Sequence, residues 1–99
     1  MAELIHEHST HVRTPDGLTY LASVHAERQP EGGTWAGWLE FTPVGHRAPW
    51  LRTDRETTQP TRDAVAYWAS GLEPVYLQGA FERAHVVTRV PARPSIGAA

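Results

Sequence analysis

Between Arg55 and Ala84 the chain changes the period of its hydrophobic pattern, and that change restricts the fold more than any other feature. Ala64, Val65, Trp68, Ala69 and Leu72 recur at the three- and four-residue spacing of one buried helix face, which predicts a helix from about Pro60 to Ser70. Pro60 suits a first helical position, and Asp63 in the first turn complements the positive end of the helix dipole. Thr57, Thr58 and Gln59 are the residues expected to cap it, and Gly71 offers a left-handed stop. Glu73-Pro74 restarts the chain, after which Leu77, Ala80, Phe81 and Ala84 repeat the spacing, so a second short helix is expected with Gly79 as its weak point.

Upstream the period is two. Leu18, Tyr20, Ala22, Val24 and Ala26 alternate with Thr19, Ser23, His25 and Glu27, the pattern of a half-buried strand. Leu4 to Arg13 precedes it across Thr14-Pro15-Asp16-Gly17, a strong turn signal, so the two segments should form a hairpin. After the polar loop Gln29 to Gly33, Trp35, Gly37, Leu39 and Phe41 alternate against Ala36, Trp38, Glu40 and Thr42 as a third strand. Trp50 to Glu56 reads as a fourth, with Arg52, Asp54 and Glu56 on one parity, and His85 to Val90 as a short last one. The implied fold is α+β, an antiparallel meander of three to four strands followed by a helical hairpin packed on one sheet face, in a single domain over 1–90. A frayed Pro-, Gly- and Ala-rich tail is expected over 91–99.

Composition narrows the function. At 99 residues with 40% hydrophobic content the chain supports one small core, and four Trp supply much of its large apolar volume. Cys and Lys are both missing, which removes disulfides, thiol nucleophiles, Schiff-base lysines and phosphate-loop lysines. A formal net charge of -2 argues against nucleic-acid binding through a basic footprint. No apolar run approaches the ~18 residues of a membrane span, and the first twelve residues lack the basic start and apolar stretch of a signal peptide, so a soluble cytoplasmic protein is expected. All nine of its Lys and Arg positions are Arg, which points to the codon bias of a GC-rich bacterial genome rather than to a physical requirement.

Gly33 to Phe41 (GTWAGWLEF), Arg55 to Pro60 (RETTQP), Tyr67 to Ala80 (YWASGLEPVYLQGA) and Arg83-Ala84 together resemble a family of small uncharacterised bacterial proteins of about this length. The resemblance runs from about Tyr20 to Ala84. It implies a free-standing bacterial protein and carries no activity, ligand or partner.

His6, His8 and His11, with Glu3 and Glu7 beside them, form the most metal-like group, since imidazole and carboxylate suit Zn, Ni or Cu. On an extended strand His6 and His8 point one way and His11 the other, and neither spacing matches a zinc signature, so neither metal nor cofactor is expected. Glu56, Thr57, Thr58 and Gln59 stand where a strand meets a helix amino terminus. That is a place for capping or for holding an anion, with Arg52 and Arg55 as charge partners. Ser70 before Gly71 lacks the nucleophile-elbow pattern, and Glu82 with His85 is an ordinary helical pair. No set meets the requirements of nucleophile, base and oxyanion hole, so enzymatic activity is not expected. Trp35, Tyr67 and Trp68 are expected in the core. Alternation places Leu21, His25, Trp38 and Trp50 on the opposite sheet face, where exposed Trp and Leu signal an interface. The function expected is a non-catalytic protein–protein module, with a homo-oligomer or a protein as partner, and a small-molecule or anion-binding protein is the alternative.

Overall fold

The computed structural model describes residues 1–87. Seven strands and two helices follow one another as β1 (Glu3–Glu7), β2 (Val12–Arg13), β3 (Thr19–Arg28), β4 (Trp35–Val44), β5 (Leu51–Arg52), β6 (Thr57–Gln59), α1 (Arg62–Ser70), α2 (Pro74–Arg83) and β7 (His85–Val86). All pairings are antiparallel, in the order β1-β3-β4-β5-β7, with β2 also on β3 and β6 also on β4. The α+β architecture is as expected, with more strands than the sequence suggests. The first anticipated strand is broken into β1 and β2, the fourth is cut to β5 with β6 formed by residues expected to cap the helix, and β7 returns after the helices to extend the sheet beside β5.

Both breaks have local causes. In the first segment Ile5 is an extra residue between the pairs Leu4↔His25 and His6↔Val24, and the chain leaves the ladder after His8 donates its N–H to Ala22 at 3.0 Å. It rejoins β3 through β2 and a turn in which Gly17 adopts φ 91° and Leu18 N–H bonds to Thr14 Oγ1 at 2.9 Å. The second break lies between Phe41↔Leu51 and Gly37↔Thr57. There the fully buried Thr53 uses its hydroxyl to accept the Leu39 N–H at 3.0 Å, which satisfies a donor that an interrupted ladder would leave unpaired. Trp50 to Glu56 is therefore not one strand, and the single parity expected for Arg52, Asp54 and Glu56 does not persist across the bulge.

The helices cover one face. Tyr20, Ala22, Val24, Ala26, Leu39 and Phe41 from the sheet meet Val65, Ala69, Leu77 and Ala80, with Trp35, Trp68, Leu72 and Phe81 packed around them. Phe81 joins the layers, lying 4.9 Å from the Tyr20 ring and 5.2 Å from that of Phe41. Gly37 is where α1 comes closest: a Cβ there would meet Thr57 Cγ2 at 3.0 Å and Val65 Cγ1 at 3.3 Å. Only glycine leaves that room.

Three local expectations are corrected. The cap of α1 is Thr61, whose Oγ1 accepts the Ala64 N–H at 3.0 Å, because Thr57 to Gln59 are committed to pairing with β4 as β6. Gly71 ends the helix at φ -94°, outside the left-handed region, and Tyr67 is 84% exposed because it sits two residues from Val65 and so turns away from the sheet. The continuation of the last strand to Val90 and the tail over 91–99 lie outside the described residues.

Candidate functional site

Residues paired across an antiparallel ladder share a face, so the register assigns each side chain. On the face away from the helices the pairs Glu7↔Ser23, Ser23↔Glu40, Glu40↔Arg52 and Arg52↔His85 form one polar row across the whole sheet. On one side of it lie Leu4, His25 and Trp38, and on the other Leu21, Thr42 and Trp50. No helix covers this face among the described residues, and the shortest dimension of the molecule, 18 Å, has room for one sheet and one helix layer only.

Leu21, His25, Trp38 and Trp50 thus share the face that alternation assigns them, but not equal exposure. Leu21 and His25 are half-buried, and Trp50 is 44% exposed. Trp38 is only 5% exposed. The Arg52 guanidinium lies 4.2 Å from its ring centroid, and its indole N–H donates to Glu40 Oε2 at 3.0 Å. Alternation gives the direction of a side chain and not what its neighbours lay over it. The outer surface at this point belongs to Arg52.

Ser23, His25 and Glu40 superficially suggest a nucleophile, base and acid. Both Ser23 Oγ, at 3.0 Å, and Glu40 Oε1, at 3.6 Å, approach the same nitrogen, His25 Nε2. A relay needs the acid on one ring nitrogen and the hydroxyl on the other, so this arrangement cannot activate Ser23. Burial, reinforced by Arg52 and opposed by Glu40 and Glu7, lowers the His25 pKa, which favours a neutral ring at neutral pH.

The strand-to-helix junction is occupied by the fold itself. Glu56 accepts the Tyr76 hydroxyl at 2.5 Å and Arg83 Nη2 at 2.6 Å, tying α2 to the bulge before β6. Burial alone would raise the Glu56 pKa; the hydrogen bonds from Arg83 and Tyr76 and the Arg83 charge outweigh it and hold it below the ordinary value. The same contact works oppositely on its partner: burial first, then the Glu56 hydrogen bond and charge, push the Tyr76 hydroxyl up to about 12. Gln59 Nε2 donates to Thr57 Oγ1 at 2.7 Å, and the Thr57 methyl lies against the Gly37 backbone. Thr58, opposite Ala36, turns to the other face. The six residues Arg52, Arg55, Glu56, Thr57, Thr58 and Gln59 therefore do not converge. Tyr76 and Arg83, missed from sequence, stand seven residues apart on one helix face, which is the signal that could have paired them with one acid.

Two clefts remain. One of about 480 Å³ beside β7 is lined by Arg52, Thr53, Asp54, Arg55 and His85, with His85 Nε2 3.9 Å from Asp54 Oδ1. The other, about 310 Å³, lies where β1 meets the corner between the helices. His6 and His8 line it with ring centroids 4.6 Å apart, while His11 is exposed elsewhere. Among the described residues no three His, Asp or Glu side chains converge as a metal site. Ser70 Oγ, on the wall of the second cleft, donates to the Tyr67 carbonyl at 2.9 Å.

No family model, curated protein or solved structure matches the chain. Among the described residues no helix is long and apolar enough to cross a membrane.

Proposed function

We propose that this chain is a small, non-catalytic bacterial module of the cytoplasm that acts through protein–protein contact and associates with a second copy of itself. The observation that carries the reading is the helix-free sheet face, where Val44, opposite Thr19 and 41% exposed, and Trp50, 44% exposed, keep large apolar surface in water on the same side of the polar row as half-buried Leu21. Exposed aromatic and aliphatic side chains grouped on one flat face mark an interface more often than scattered ones do. Light scattering on the eluting peak tests it. The parent runs at twice the chain mass at micromolar concentration, and Trp50→Ala, its fold verified by circular dichroism, shifts it toward the monomer. A Trp50→Ala chain as fully associated as the parent counts against this face.

The cleft beside β7 favours a second reading, a small anion-binding protein. Arg52, Arg55 and His85 all line it, and Asp54 is the one acid among the lining residues. Titration with inorganic phosphate, followed by amide shifts of 52–55 and 85–87, supports it if those shifts saturate and Arg55→Ala abolishes them. Unchanged shifts dispose of it.

A further inference from the structure

The polar row across the bare face is electrically lopsided, and this points to how two copies meet. From β1 to β7 it reads Glu7, Ser23, Glu40, Arg52, His85, with Glu7 at one end, Glu40 on the central strand, and Arg52 and His85 toward the other end. Glu7, Arg52 and His85 are exposed, while Glu40 is partly withdrawn, bonded to the Trp38 indole. Asp54, 3.9 Å from His85, is the acid at the basic end. Two sheets packed face to face about a two-fold axis have two simple arrangements. With the axis across the strands, each strand lies on its own copy and Glu7 meets Glu7. With the axis along the strands, the row lies on itself reversed: Glu7 of each chain meets His85 of the other, Ser23 meets Arg52, and Glu40, held by the Trp38 indole, meets its own copy at the axis.

We infer that the chain forms a face-to-face two-fold dimer whose axis runs along the strands, with Glu7 of each copy over His85 of its partner and one strand from its Arg52. The inference rests on the self-association proposed above and adds its geometry. The same reversal brings the β3 side of the neighbouring row, Leu21, toward the β5 side, Trp50, of the other chain, so the apolar groups meet as the charges pair. An isologous contact of this kind makes every pair occur twice. Charge placement then fixes the register as well as the partner.

Reversal of charge tests it. Glu7→Arg chains carry Arg toward both ends of the row, and Arg52→Glu chains carry Glu toward both, so each alone faces like charge twice and dimerises at least roughly tenfold more weakly. Mixed together, the two variants satisfy both contacts and form a heterodimer, seen by native mass spectrometry as the intermediate mass. Circular dichroism of each variant verifies its fold; if Arg52→Glu fails to fold, His85→Glu takes its place in the mixture. A parent dimer with both variants still self-associated, or with no preference for the mixed species, overturns the geometry and leaves self-association standing. A parent that is monomeric overturns both.

Discussion

At the scale of single residues, His8 and Glu56 both carry stability that is lost on acidification, each in its own pH range. His8 is 9% exposed and its Nε2 has no hydrogen-bond partner among the described residues, so burial first and the nearby His6 charge second lower its pKa below 6.5. The unfolded chain takes up that proton more readily than the folded one. Stability is therefore full above about pH 6.5 and falls as pH drops toward the folded value. His8→Gln should flatten that part of a melting-temperature profile between neutral and mildly acidic pH, and an identical slope in parent and variant would remove His8 from the account. Glu56 acts lower on the scale. Its folded pKa is depressed below 4.5, so its contribution is present above that value and is lost as pH falls through the folded one. Glu56→Gln is expected to cost about 1–2 kcal/mol near neutral pH, toward the low end because Arg83 is half-exposed. Chemical denaturation of Glu56→Gln and Tyr76→Phe measures it, and the pair should be less than additive because both remove the same contact.

Among the elements, the two long strands and both helices are legible in the sequence because each follows its own period without interruption: Tyr20 to Ala26, Leu39 to Phe41, Val65 to Leu72, and Leu77 to Phe81. The junctions are not. Ile5 is one extra residue opposite β3, and the residues after Thr53 depart from β4; both depend on which partner strand is available rather than on any local preference. The same dependence misplaces the cap, since Thr57 and Thr58 suit an amino-terminal cap as well as Thr61 does until β4 claims them. Thr61→Ala should therefore cost ~1 kcal/mol. Thr58→Ala, on an exposed strand residue, should stay within about 0.5 kcal/mol of the parent, and the reverse ranking in urea titrations would restore the cap to the junction. Gly37→Ala should cost about 1–3 kcal/mol, because its methyl enters space held by Thr57 and Val65 and α1 must lift from the sheet. A neutral result there would mean that the helix is not seated on β4 as closely as described.

For the molecule as a whole, the sequence shows which side chains leave the core face but not how they cover one another. Alternation alone places Leu21, His25, Trp38 and Trp50 together, whereas the row Glu7, Ser23, Glu40, Arg52, His85 depends on the register of five strands and cannot be read from one strand at a time. Trp38 shows the difference: its direction follows from parity, and its burial follows from Arg52, which comes from another strand. Trp38→Ala should thus destabilise the single chain as well as disturb the face, which makes Trp50 the better probe of association. The central claim is that this face is covered by a second copy. Sedimentation equilibrium of the parent and Trp50→Ala over a range of micromolar concentrations tests it most directly. The account predicts a monomer–dimer equilibrium for the parent that Trp50→Ala moves to the monomer, while a parent that stays monomeric at every concentration would contradict it.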